Sequence, residues 1–215
     1  MILIPVKDLS NAKARLSPLL NAEQRTTLAQ AMIEDVLYTL HSWSARPEVA
    51  VVSSDPFTTY TARSLKLRVI EDRENRGETE AIEMATQVCV KEGVRETLVI
   101  PGDIPLIRVW ELERIMEMAP AEGSVMVPAY NGRGTNAILR RPAALFPLRF
   151  GNDSFQPHLQ SAQGTGFDCI VLDLPGISLD VDTPEDLKQL LATPTESRTQ
   201  KLLRHWDLSQ LDAAS

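Results

Sequence analysis

Three cations early in the chain and three aspartates spread along it are the residues whose types and spacing could do chemistry. Lys7, Lys13 and Arg15 fall in KDLSNAKAR, directly after the apolar run MILIPV. Arginine offers a planar fork and lysine a point charge, so this loop suits a polyphosphate; a polar loop also carries cations that only meet water. Asp103 stands in VIPGDIP, at the end of an apolar segment and stiffened on both sides by Pro101 and Pro105. A hard cation such as Mg²⁺ takes oxygen ligands and fits a carboxylate there, and so does a turn capping the next helix. Asp180 and Asp182 alternate about Val181 in LDVDTPEDL. In extended backbone, residues two apart share a face, and like charges so placed repel unless a cation bridges them. Asp182 and Thr183 also fit the N-cap of the helix that follows. Taken together, a three-carboxylate Mg²⁺ centre facing a cationic loop describes nucleotidyl transfer, which needs no covalent nucleophile.

Other chemistries are excluded by what is missing. There is no GxxxxGK[ST] or GxGxxG, and the first glycine is Gly77. HExxH, the EF-hand loop and GxSxG are absent too. The three histidines (His41, His158 and His205) have no Ser or Cys partner by spacing, and Cys89 and Cys169 read as free thiols. A formal net charge of -7 argues against nucleic acid and against anionic membranes. Any anionic ligand must then be held by a few local cations or by metal. No apolar run approaches the ~20 residues of a membrane span, and residues 1–30 lack a signal-peptide core. A cytoplasmic protein is expected. With 215 residues, 43% of them hydrophobic, disorder of the whole chain is ruled out and a single main domain is expected.

The elements that must position these residues alternate. MILIPV reads as a buried strand and 7–20 as a long loop. Leu28, Met32, Val36 and Leu40 recur in steps of four behind a cap at Asn21, which predicts a helix. Strands are expected at EVAVV, LRVIED, ETLVIPGD, SVMVPAY, GTNAILRR and FDCIVLDL. Helices are expected near 59–65, 79–92 and 107–118, after GNDS, and at TPEDLKQLLA, where Thr183, Pro184 and Asp186 form a capping-box start. This alternation predicts an α/β domain over 1–192 with a mainly parallel central sheet flanked by helices. Residues 193–215 read as a C-terminal tail with one docking helix, RTQKLLRHW. Ligands of such sheets bind beyond the carboxyl ends of the strands, which directs attention to 7–15, 53–55, the loop to Gly77 and 101–103.

Over nearly all of 1–192 the chain resembles the 2-phospholactate guanylyltransferase family of coenzyme F-420 biosynthesis. The resemblance is carried by PVKDLSNAKARLSPLL, VIPGDIP, GRGTNAIL, GNDSFQPHLQSA and LDVDTPEDL, in that order. It implies a nucleotidyltransferase fold akin to glycosyltransferase-A domains. It also implies a reaction in which GTP and a small phosphorylated carboxylic acid give a guanylyl-diphospho acid and pyrophosphate. The acid differs among members: 2-phospholactate, phosphoenolpyruvate or 3-phosphoglycerate. By the same resemblance Thr135, Gly151 and Ser154 contact the acid, and Asp103, Asp180 and Asp182 hold the metal. Lys7, Lys13 and Arg15 meet the triphosphate, and His158 lies near the acid pocket. Taken alone, GNDS is an ordinary helix cap and His158 a solvated helix histidine.

One departure follows Gly77. The family often reads Leu-Asn there, and this chain reads Glu78-Thr79-Glu80. Glu80 suits the guanine N–H groups, and equally the dipole of its own helix. Ser53, Ser54 and Asp55 are further expected to face the nucleotide. Implied partners are GTP, the phospho-acid and, transiently, the downstream transferase that receives a labile product. Leu202, Leu203, Trp206, Leu208 and Leu211 in the tail offer an apolar surface to a second copy of the chain. Two rivals remain. Another Mg²⁺-dependent nucleotidyltransferase, of sugar-phosphate or molybdopterin type, should open with a glycine-rich loop that is missing here. A non-catalytic nucleotide-binding regulatory module should have lost a loop cation or a carboxylate.

Overall fold

The N-terminal apolar run becomes β1 (Ile2–Pro5), buried at every residue, as a strand covered on both faces requires. A computed structural model describes residues 1–74, 76–151 and 153–206. β1 pairs in parallel with β2 (Val49–Val52) and β4 (Thr97–Val99), and β2 pairs in parallel with β3 (Arg68–Ile70). Beyond β4 lies β6 (Thr135–Arg141), antiparallel both to β4 and to β5 (Gly123–Pro128). β7 (Asp168–Val171) closes that edge in parallel with β5. The sheet order is β3-β2-β1-β4-β6-β5-β7. From β1 the chain moves outward to β2 and β3, then returns to β4 on the other side. The carboxyl ends of β1 and β4 therefore flank a topological switch point, where open α/β sheets bind ligands.

Strand residues alternate between the two faces. Ile2, Ile4, Val49, Val51 and Leu98 join one core, and Leu3, Ala50, Val52 and Val99 join the other. The first core is covered by α1 (Ala22–Ser42), α2 (Pro56–Ser64), α4 (Val109–Met118), α7 (Pro184–Ala192) and α8 (Arg198–Arg204). The second is covered by α3 (Glu78–Lys91) and α5 (Phe155–Gln163). The four-step stripe of α1 is fully buried, at about 2 kcal/mol for each such side chain. Asn21 and Gln24 cap α1 reciprocally, and Thr183 and Asp186 do the same for α7.

One expectation is corrected. Residues 7–20 do not form a plain loop: they wind through two 3-10 turns, Leu9–Asn11 and Ala14–Leu16. Leu9, Leu16 and Leu20 anchor those turns in the core; the polar residues between them mask that spacing. The tail contains one helix, α8, packed against α1 of its own chain. Asp35 of α1 accepts hydrogen bonds from the backbone of Arg198 and Thr199 at 2.8 and 2.9 Å. Leu203 is in the core and the half-buried Trp206 packs against it; Leu208 and Leu211 lie outside the described residues. Among the described residues, no helix is long and apolar enough to cross a membrane.

Candidate functional site

β1 ends in Pro5, and the chain turns back over the sheet edge through Lys7 and Lys13. Lys13 adopts a left-handed conformation, φ 54° and ψ 41°, which a side chain with a Cβ takes only at some strain. That backbone turns its ammonium inward, where the side chain is 8% exposed. Nζ donates to Asp103 Oδ2 at 2.6 Å and to Asp182 Oδ1 at 2.8 Å. Burial works against the charge, but the two carboxylates outweigh it and hold the ammonium well above the usual lysine range. Asp182 is affected in the opposite sense: burial would raise its pKa, and Lys13 holds it below the usual carboxylate range. Val181 N donates to the Asp103 backbone carbonyl at 3.2 Å, joining the Asp180–Asp182 segment to the end of β4. Three parts of the sequence, about 170 residues apart at their extremes, thus meet at one lysine.

A cavity of ≈ 370 Å³ opens on one side of this centre. Apolar Ala29, Met32 and Ile33 of α1 line it together with Lys7, Lys13 and the Pro5–Leu9 segment. Gly102 lies where a Cβ would stand 3.1 Å from Val6 and 3.3 Å from Ile33, so the backbone passes close to α1. A second cavity, of ≈ 460 Å³, opens on the other side. Thr135, Asn136, Gly151, Ser154, Arg15, Arg133 and Asp180 are among its lining residues. Glu78, Pro101, Asp103 and Asp182 line both.

Long-range hydrogen bonds build the second cavity. Ser154 stands at the start of α5 but does not cap it; its hydroxyl oxygen accepts from Thr135 N at 3.1 Å instead. Gly151 has φ +133°, which brings the backbone round where a side chain would be strained. Asn136 Nδ2 lies within hydrogen-bond reach of the carbonyls of Ile177 and Ser178 and of Asp180 Oδ1, the last at 2.9 Å. Glu111 accepts from Gly176 N at 2.7 Å and so holds α6 (Pro175–Ser178), which leads into Asp180.

The sequence candidates are unequally placed. Lys7, Lys13, Arg15, Asp103, Thr135, Gly151, Ser154, Asp180 and Asp182 all line one cavity or both. Glu80 is exposed and lines neither. Its helix neighbour Glu78 is the residue in the shared wall; burial first, then Asp103, pushes its pKa up to about 7. Ser53 and Asp55 turn inward to form local structure. Asp55 caps α2 through Thr58 N at 2.8 Å, and Ser53 Oγ accepts from Asp55 N. His158 is not solvated but 1% exposed, behind Thr135. Asn136 and Glu78 are the residues that motif reasoning passed over. An amide inside an apolar strand and a carboxylate directly after the first glycine were the available signals.

The carboxylates bear on a hard cation in two ways. Asp103 Oδ1 is buried and receives no hydrogen bond from any described residue, an orphaned acceptor of the kind that a cation satisfies. Burial and the neighbouring Asp103 raise the pKa of Asp180, as expected for acids that face one another without a cation. Yet among the described residues no three acidic, His or Cys groups form a cage, and Lys13 stands between Asp103 and Asp182. Mg²⁺ typically needs only one or two carboxylates, with substrate phosphates completing its shell; the residues fit that mode.

A family model described as "Guanylyl transferase CofC like" matches residues 1–212. The chain is 36% identical to 2-phospho-L-lactate guanylyltransferase of Methanothermobacter thermautotrophicus, over 94% of this chain and 88% of that protein. It is 36% identical to phosphoenolpyruvate guanylyltransferase of Rubrobacter xylanophilus, over 88% and 92%. With 3-phospho-D-glycerate guanylyltransferase of Colwellia psychrerythraea it shares 32%, over 94% and 97%. Among solved structures, a protein of Desulfovibrio desulfuricans G20 described as a nucleotide-diphospho-sugar transferase superposes with a TM-score of 0.79. It covers 99% of this chain and 96% of its own at 20% identity, a likeness of fold.

Proposed function

The chain belongs to the CofC-like guanylyl transferase family and is a guanylyltransferase; from that premise we propose how its two cavities divide the substrates. GTP occupies the first, with its triphosphate toward Lys7 and Lys13, and Arg15 reaches the same phosphates from the second cavity, which it lines. A small phosphorylated carboxylic acid (2-phospholactate, phosphoenolpyruvate or 3-phosphoglycerate) occupies the second, against Thr135, Gly151 and Ser154. The single observation behind this division is the shared wall of Asp103 and Asp182 with Lys13 between them. Phosphates entering from both sides would meet there.

At that wall an oxygen of the acid's phosphate attacks the α-phosphorus of GTP, and pyrophosphate leaves. Lys13 remains charged at any working pH and compensates the charge of the polyphosphate. The backbone of Gly151 and the hydroxyls of Thr135 and Ser154 orient the acid, which supplies much of the rate by positioning alone. Asp103 with Asp180 or Asp182 would hold Mg²⁺, which would supply charge neutralisation on the triphosphate. Apolar Ala29, Met32 and Ile33 exclude water on the nucleotide side. Such a reaction serves coenzyme F-420 biosynthesis in the cytoplasm, and its labile diphospho product calls for transient handover to the next transferase.

The experiment is pyrophosphate release with Mg²⁺, with GTP, ATP and CTP each tested against the three acids and the downstream transferase present as a trap. Release with GTP and one acid is expected. No release from any pair, in protein that still binds GTP, would overturn the catalytic reading in favour of a regulatory module.

A further inference from the structure

His158 lies behind the second cavity with its ring edge-on to Phe150, the centroids 5.2 Å apart. Both ring nitrogens are engaged. Arg149 N lies 2.8 Å from Nε2, and Thr135 Oγ1 lies 2.9 Å from Nδ1. A backbone N–H can only donate, so Nε2 must be the accepting nitrogen, and a neutral imidazole then carries its proton on Nδ1. Burial, with the Arg140 guanidinium adding to it, pushes the pKa of this histidine down to about 4, so the ring is neutral near pH 7. Nδ1–H therefore donates to Thr135 Oγ1. The Ser154 hydroxyl approaches the same oxygen at 3.4 Å as a second donor. With its oxygen accepting from both, the hydroxyl proton of Thr135 is left to the cavity that Thr135 and Ser154 line.

We propose that His158 is a positioning residue for the acid substrate: its Nδ1–H fixes the Thr135 hydroxyl as a donor aimed at an anionic oxygen in the second cavity. This inference rests on the placement of the acid there. The role differs from a structural plug, which would need only the Nε2 contact that holds the Arg149 backbone in front of α5.

The two contacts can be separated by substitution, because an asparagine amide reaches the Nδ1 position and a glutamine amide the Nε2 position. H158N keeps a donor for Thr135 and loses the acceptor for Arg149 N; H158Q does the reverse. The acid KM is expected to rise on the order of tenfold in H158Q, as for a lost hydrogen bond to a charged group. It should stay near the wild-type value in H158N, with the GTP KM unchanged in both. The reverse ranking, or equal rises, would overturn the proposal. Thr135→Val separates this failure from that of the premise. A raised acid KM in Thr135→Val with an unaltered H158Q would overturn the positioning role alone; an unaltered Thr135→Val would overturn the placement of the acid. Nitrogen-15 NMR of histidine-labelled wild-type protein needs no variant. It should show the Nδ1–H tautomer at pH 7, and an Nε2–H tautomer would contradict the proposal.

Discussion

The first cavity comes mainly from one strand–turn–helix unit, Pro5 to Leu9, Ala12, Lys13, and Ala29, Met32 and Ile33 of α1, and is closed by Glu78, the 101–103 loop and Asp182. The second draws on six separate places: Arg15, Glu78 at the start of α3, the loop after β4, the β5–β6 turn, the loop before α5, and the segment before α7. In the first, backbone and apolar surface shape the space and two lysines supply the charge. In the second, hydrogen bonds across 19, 23 and 44 residues of sequence hold Thr135, Ser154, His158, Asn136 and Asp180 in register. A local unit tolerates change at one position because its neighbours are covalently close. A cavity assembled from distant segments depends on each hydrogen bond that joins them. On the proposed division, the first cavity takes the nucleotide and the second the acid, the part in which the three groups of relatives differ by name.

The largest effect is expected where the two cavities join. Asp103→Asn should lower turnover on the order of a hundredfold or more, the scale of a lost electrostatic contact to the reacting phosphates. Its thermal midpoint should stay close to that of the wild type, since Lys13 keeps Asp182 as a partner. Full activity would mean that the shared wall is not where reaction occurs.

A smaller effect concerns Glu78, whose carboxyl is raised to about 7 from an ordinary 4.5. Between those values the folded state holds more protons than the unfolded, so this group costs stability as pH rises through that window. Glu78→Gln should raise the melting temperature of the ligand-free protein by a few °C at pH 8 and scarcely at all at pH 4. An equal gain at both would show that the charge is not strained by the shared wall. His158 has the opposite sign. Its folded pKa lies below the ordinary 6.5, so its contribution is complete above that value and is lost as pH falls toward 4.

The contrast between the cavities is also the contrast in what could be read from the chain. β1, β2 and β4 announce themselves because a strand covered on both faces must be apolar throughout, and the chemistry at their carboxyl ends follows from the fold class. Caps at Asn21 and Thr183 are local and equally plain. Ser154 was ambiguous because a cap and a cross-link have the same residue type, and only the pairing of β6 beside β4 brings Thr135 to its oxygen. His158 looked solvated because nothing in SFQPHL says which side of α5 faces Phe150. Glu78 and Glu80 differ by two helical positions, about 200° of rotation, so the start of α3 decides which one reaches the site. Leu9, Leu16 and Leu20 were hidden by the polar residues that separate them.

The division of substrates is tested most directly by measuring both KM values in two variants, Lys7→Met on the nucleotide side and Ser154→Ala on the acid side. A crossover is expected: Lys7→Met should raise the KM for GTP on the order of tenfold and leave that for the acid, and Ser154→Ala should do the reverse. If either variant raised both values equally, the two cavities would not be separate substrate sites.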